Sequence, residues 1–244
     1  MRIYGINPVN EALRAKRVTA LRVSPRDDDR LTAILRAAEQ QGIPVRRAHA
    51  HELDRFANGG VHQGVVADVQ DTVSYSVEDL VTQAAGVPLI VVLDQIEDPH
   101  NVGAILRTVD AAGADGVVRQ SRHAARLDGA AAKASAGAVS HVKIAEVVNV
   151  ARALEILKGA GVWIVGLAGD APQTYDALDL TMPTAIVVGA EGTGLRRLVR
   201  ERCDWLASIP MHGHVQSLNV SVATGIALFE ALRQRRAKPG ERIE

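Results

Sequence analysis

The sequence predicts an α/β fold, a mostly parallel sheet preceded by a smaller α/β unit, on three observations. From Pro88 onward short apolar runs alternate with helical stretches, the pattern of a parallel sheet covered on both faces. Residues 1–68 carry strand and helix signals of their own, after which the apolar pattern lapses. Three polar, glycine-bearing loops then follow strands. Such loops are where α/β proteins bind ligands, because the first-turn N–H groups of the next helix have no backbone partner.

The elements follow in order. Asn7-Pro8-Val9 opens a helix to about residue 14, since proline suits a first helical turn, and residues 20–23 read as a short strand. Asp29 can cap a helix with Leu31, Ile34, Leu35 and Ala38 on one face, closed by Gly42 before Pro44. Residues 45–48 give a second strand, 52–57 a short helix, Gly59-Gly60 a turn and Gly64-Val65-Val66-Ala67 a buried strand. Residues 71–86, with Ser74-Tyr75-Ser76 and Ala84-Ala85-Gly86, are expected to link a domain of residues 1–70 to one of residues 87–244. In the second, strands are expected at 89–93, 116–118, 142–145, 162–167, 184–188 and 206–209. Helices are expected at 102–112, 128–136, 150–158 and from about 220 to 235, with a frayed tail after Arg236.

Composition narrows the function classes. At 244 residues and 47% hydrophobic content the chain can bury a sizeable core. No apolar run approaches the roughly eighteen residues of a membrane span, and Met1-Arg2-Ile3-Tyr4-Gly5 lacks a signal peptide's apolar core. A cytoplasmic protein is expected. The single cysteine, Cys203, leaves no internal disulfide and no multi-cysteine metal cluster. Net charge is zero but unevenly spread: residues 1–70 hold 11 Lys and Arg against 8 Asp and Glu, residues 71–195 hold 8 against 15, and residues 196–244 hold 9 against 5. A polyanion such as RNA would meet the basic ends.

Three loops of the second domain concentrate the chemistry. In Asp98-Pro99-His100-Asn101-Val102-Gly103-Ala104-Ile105-Leu106-Arg107-Thr108, Asn101 sits where a helix cap belongs. Arg107 interrupts the apolar Ile105-Leu106 and Val109, a setting that calls for a carboxylate or phosphate partner. In Val187-Val188-Gly189-Ala190-Glu191-Gly192-Thr193-Gly194-Leu195 the glycines permit close backbone approach, and Glu191 stands at the strand end. The glycine spacing is not G-x-G-x-x-G and no P-loop lysine follows. The third runs Ile209-Pro210-Met211-His212-Gly213-His214-Val215-Gln216-Ser217-Leu218-Asn219-Val220-Ser221, where an apolar strand breaks and restarts as a helix that Asn219 or Ser221 can cap. His212 and His214 lack a third ligand, so no metal is assigned.

Together, Asn101 with Arg107, Gly189 with Glu191, and Ile209-Pro210-Met211 with Ser217-Leu218-Asn219 resemble, in order and spacing, the three signature motifs of the SpoU-TrmH family of ribose 2′-O-methyltransferases. Tyr4-Gly5-Ile6-Asn7-Pro8-Val9 and His62-Gln63-Gly64-Val65-Val66-Ala67 look like the start and end of that family's small RNA-binding domain. Within the family the likeness is nearest to the bacterial members that methylate a guanosine ribose in 23S rRNA.

The resemblance implies a parallel sheet whose C-terminal segment is threaded into a trefoil knot, with S-adenosylmethionine as cofactor, RNA rather than DNA as partner, no membrane, and two subunits packed through the knotted regions. By position, Gly166, Leu167, Ala168, Gly189, Ile209, Met211, Ser217 and Leu218 line the cofactor pocket. Gly189 leaves room for the adenine. Arg107 is the family's proposed base. Because arginine as a residue type keeps its proton up to a pH of about 12, orienting the hydroxyl and binding the neighbouring phosphate is the alternative role. Asn101, Glu191, Ser217 and Asn219 match further active-site positions. Asn7 stands where relatives often carry histidine, and Ser140 replaces a common acidic residue after Lys133-Ala134-Ser135-Ala136-Gly137-Ala138; both bear on which RNA is modified. A tRNA or another rRNA site for the same chemistry, and a catalytically idle RNA-binding protein of the same fold, are the alternatives.

Overall fold

The computed structural model describes residues 2–26, 28–70, 75–122, 124–125, 127 and 129–237. By packing the chain divides into two compact units. One gathers the N-terminal strands with Pro99–Arg107 and Ala125–His141; the other gathers the chain from 75 to Asp98, Thr108–Ala124 and Val142 onward.

The first unit starts with β1 (Arg2–Tyr4), α1 (Ile6–Arg14), β2 (Val18–Val23), α2 (Asp29–Gln40), β3 (Val45–Arg47), α3 (Ala50–Phe56) and β4 (Val65–Val69). Its sheet runs β1-β4-β2-β3, antiparallel except for the parallel pair β2 and β3. Ile3, Leu21, Val23, Val65 and Val66 are buried in it, with Val9 and Leu13 of α1 and Leu31 and Ile34 of α2. The cap of α2 is Asp28, which accepts from Arg30 N at 2.8 Å, one residue before the cap expected from sequence. In a run of three aspartates spacing alone does not choose between neighbours.

The chain continues through α4 (Val77–Thr82), β5 (Leu89–Asp94), α5 (Pro99–Ala112), β6 (Gly116–Gln120), α6 (Gly129–Ala134), β7 (Ile144–Val147), α7 (Val150–Gly159), β8 (Trp163–Leu167), β9 (Gln173–Thr174), β10 (Thr184–Gly189), α8 (Arg197–Arg202), β11 (Trp205–Ser208) and α9 (Val220–Ala237). Helix α4 falls within the segment expected as a linker. A reciprocal cap forms it, Ser76 Oγ accepting from Asp79 N at 3.1 Å and the Asp79 carboxylate accepting from Ser76 N at 2.8 Å, while Val77 and Leu80 are buried. Six residues are too few for a helical period to show. Residues 71–74 of that segment, Asp128 at the start of the expected 128–136 helix and the tail 238–244 lie outside the described residues.

Seven strands form the second sheet in the order β7-β6-β5-β10-β8-β11-β9, every pair parallel. Its central strands are largely apolar because both faces are covered, with Thr184 and Asp94 at strand ends. Ile90, Val92, Ala185, Val187 and Ile164 pack with Val77 and Leu80 of α4 and Val150, Ala153, Leu154 and Leu157 of α7. Strand β10 lies between β5 and β8, and the chain then passes β8 to lay β11 on its far side. This doubling back is compatible with the knot that the resemblance implies. Near the end of α9, Arg235 donates to the carbonyl oxygens of Leu180, Val87, Pro88 and Met182, clipping the helix to the approach to β5.

Candidate active site

Parallel pairing makes the chain leave β8, β10 and β11 at one edge of the sheet, and the order β10-β8-β11 makes these strands neighbours. The loops that follow them must therefore meet. They enclose a cavity of about 610 Å³ lined by Leu167–Gly169, Val188–Gly192, Gly194, Ala207, Ile209, Met211 and residues 216–220 with Ala223. Of the sequence-predicted residues, Leu167, Ala168, Gly189, Glu191, Ile209, Met211, Ser217, Leu218 and Asn219 share this cavity.

Gly166 does not line it. A Cβ there would lie 2.7 Å from Cys203 Sγ, 2.8 Å from Leu195 Cδ1 and 2.9 Å from Leu206 Cδ2, so the residue packs beneath the site. Gly189 borders the cavity, and its missing side chain makes room for the backbone of its own loop. The backbone of Gly194 and Leu195 would come within 2.2–2.5 Å of a Cβ. The loop folds back on its own strand end, with Gly194 N donating to Ala190 O at 2.8 Å, and only glycine permits that approach.

Asn219 organises the third loop. Its Oδ1 accepts from Ser221 N at 2.9 Å, capping α9, and its Nδ2 donates to Glu191 Oε1 at 2.8 Å. Ser221 stands inside α9, and its hydroxyl donates to Asn219 Oδ1. Ser217 is exposed at the mouth of the site.

Asn101 and Arg107 stand on α5, whose first nine residues belong to the first unit. The helix starts at Pro99, so Asn101 lies in its first turn and does not cap it. Proline needs no N–H partner there and its fixed φ suits the position. Asn101 is 6% exposed and Arg107 is exposed, since six residues place them about 120° apart around a helix. Gly103 between them lets α6 approach, a Cβ falling 2.5 Å from Ala134 Cβ and 2.6 Å from Ala131 O.

A buried polar cluster that the sequence reading missed lies beside the cavity. Asp94, at the end of β5, accepts from Arg196 N at 2.9 Å and from Arg196 Nε at 2.7 Å, and Arg196 also donates to Gln120 Oε1 at 2.9 Å. The signal available was an aspartate ending an otherwise apolar strand. Cys203, by contrast, has no reactive character: burial foremost, with the neighbouring Asp204 carboxylate, pushes its thiol up to about 12.

Comparison with known proteins matches two family models to the chain, the SpoU rRNA Methylase family over residues 88–229 and RNA 2′-O ribose methyltransferase substrate binding over residues 2–72. The 23S rRNA (guanosine-2′-O-)-methyltransferase RlmB of Pseudomonas aeruginosa is 46% identical over 240 residues, covering 96% of each chain. The chain belongs to the SpoU rRNA methylase family. Its Escherichia coli relative of the same name is 44% identical over 240 residues, covering 96% of this chain and 98% of the relative. Among solved structures, the AdoMet-bound rRNA methyltransferase from Sinorhizobium meliloti aligns with a TM-score of 0.79 at 26% identity, over 95% of this chain and 86% of that one.

SpoU membership carries the reaction class: RNA ribose 2′-O-methylation with S-adenosylmethionine as methyl donor. The residues fit that donor. Leu167, Ala168, Ile209, Met211 and Leu218 give the cavity apolar walls for a purine, and a Cβ at Gly169 or Gly192 would meet nothing within 4 Å. The one ionisable side chain among the lining residues, Glu191, has the sign that a cationic sulfonium calls for.

Proposed function

We propose that the protein transfers the methyl group of S-adenosylmethionine to the ribose 2′-hydroxyl of a guanosine in 23S rRNA. The observation that carries this reading is the meeting of the β8, β10 and β11 loops in one cavity whose lining sets apolar walls beside the Glu191 carboxylate. The substrate follows from relatives named for it at 44–46% identity over nearly the full length.

S-adenosylmethionine, when bound, supplies an electrophilic methyl on a positively charged sulfur. Leu167, Ala168, Gly189, Ile209, Met211 and Leu218 hold it, and Gly166 supports the floor. Glu191, steadied by Asn219, balances its charge, and Ser217 closes the mouth. Arg107 orients the attacking hydroxyl and its neighbouring phosphate, with Asn101, in the first turn of the same helix, helping to hold the ribose.

The N-terminal domain, residues 1–70, joined by 71–86 to the catalytic domain 87–244, contacts the RNA. Two cavities of about 720 and 570 Å³ meet there at Arg2 and Phe56, with Arg46, Arg55 and His51 around the second. The Arg2 and Arg22 guanidiniums lie 4.6 and 4.2 Å from the Phe56 ring centroid. Two copies form a homodimer through α9, where Val222 and Phe229, two turns apart, are each 50% exposed. No helix among the described residues is long and apolar enough to cross a membrane, and the protein works in the cytoplasm with its RNA.

The test is incubation with labelled S-adenosylmethionine and separate 16S, 23S and tRNA substrates, followed by mapping of blocked 2′ positions. Label at a guanosine of 23S rRNA is expected. Label confined to tRNA overturns the substrate, and no transfer to any RNA overturns the enzyme.

A further inference from the structure

The loop that carries Glu191 is held at both ends. At its start Gly189 is the register partner of Asp94 across β10 and β5. At its finish Arg196 returns to that same Asp94, through its backbone N–H and its guanidinium. The Asp94 side chain has no exposure while that of Arg196 is 40% exposed. The aspartate thus lies inside the protein, and a buried carboxylate is tolerable only when paired and hydrogen-bonded. Gln120 at the end of β6 takes a further guanidinium N–H, tying the pair to a third parallel strand. None of the three residues lines the cavity.

We infer that Asp94 and Arg196 are positioning residues for cofactor binding: together they close the loop 189–196 over its strand end and thereby set where Glu191 and the glycine backbone meet the cofactor. The inference rests on the assignment of the cavity to S-adenosylmethionine. Besides the pair, the loop is held by its own Gly194–Ala190 bond and by the Asn219–Glu191 bond, neither of which fixes its end at Arg196. The expected fault is a loop in the wrong place on an intact sheet, because β5 and β10 keep their full register of parallel pairing.

The experiment compares the parent with Asp94→Asn, Arg196→Gln and the double variant. Binding of S-adenosylhomocysteine is read by calorimetry, the thermal midpoint by melting, and KM and kcat by methyl transfer. Each single variant is expected to bind about tenfold or more weakly, the order of loss that follows small misplacement of a site. Most of the loss should fall in KM for S-adenosylmethionine. The double variant restores part of the affinity, since two amides can keep hydrogen bonds to each other without stranding a charge. Single variants that bind within twofold of the parent overturn the inference. So does a lowered thermal midpoint with unchanged affinity, which makes the pair a structural tie alone. If Asp94→Asn does not fold, Arg196→Gln carries the same test from its half-exposed position. A parent that fails to bind S-adenosylhomocysteine refutes the assignment of the cavity instead, which separates the two failures.

Discussion

Asn219 donates a hydrogen bond of 2.8 Å to Glu191 Oε1 and so joins the loop after β11 to the loop after β10, 28 residues apart in sequence. The oxygen of the same amide accepts from Ser221 N. One side chain therefore caps a helix and holds the Glu191 carboxylate of the cavity.

Asn219→Asp separates these two duties. Aspartate caps a helix as well as asparagine does, so the thermal midpoint should barely move. The donor toward Glu191 is replaced by a like charge, and methyl transfer should fall on the order of a hundredfold. Asn219→Ala loses the cap too and should cost about 1 kcal/mol of stability in addition. Initial rates with labelled S-adenosylmethionine, set beside melting curves, check both.

Arg107→Ala should reduce methyl transfer by roughly a hundredfold or more with little change in stability, because truncating an exposed side chain opens no cavity. Arg107→Lys keeps the charge but not the planar fork and should recover only part of the rate. Transfer at the parent rate in Arg107→Ala removes the residue from the mechanism.

Gly189→Ala forces a methyl into the backbone of Gly194 and Leu195. Overpacking of this kind costs about 1–3 kcal/mol, and each kcal/mol lowers the thermal midpoint of a chain this size by roughly 2–4 °C. Affinity for S-adenosylhomocysteine should fall with it, since the displaced backbone borders the cavity.

Acid should reveal Asp68. Its partial burial alone would raise the carboxyl pKa, but the hydrogen bonds from Arg22 and Arg2 outweigh that and hold it below the ordinary value. A carboxyl depressed by folding stabilises the protein above its unfolded pKa, and that contribution is lost as the pH falls through the folded one. The thermal midpoint of the parent should therefore drop more steeply below roughly pH 4 than that of Asp68→Asn. Melting curves between pH 6 and 3 test the difference.

Cys203 should resist alkylation by iodoacetamide at pH 8 in the folded protein and react once it is unfolded in urea, because its thiol is pushed up to about 12. Mass spectrometry before and after unfolding reads the outcome.

Much was legible in the chain alone. The alternation after Pro88 gave the parallel sheet because strands covered on both faces must be largely apolar, and β5 up to Leu93 and β10 after Thr184 are. Short or polar elements escaped: α4 has six residues, β9 has two, and α8 buries only Val199. In each, neighbouring elements, and in α4 the Ser76–Asp79 cap, supply the stability that periodicity would have to reveal.

The sequence by itself determined the reaction class, through three motifs in order whose residue types and spacings match a methyltransferase family. It also determined which loops carry chemistry, since polar and glycine residues at strand ends mark them locally. Only the tertiary structure decided what those residues do to one another. Gly189 admits its own returning loop, Asn219 spends one end on a helix and the other on Glu191, and Asp94 meets Arg196 across 102 residues of chain. The reason is physical. A residue's type and spacing are local properties, whereas these contacts exist because three parallel strands, far apart in sequence, become neighbours in the sheet and deliver their loops to one edge.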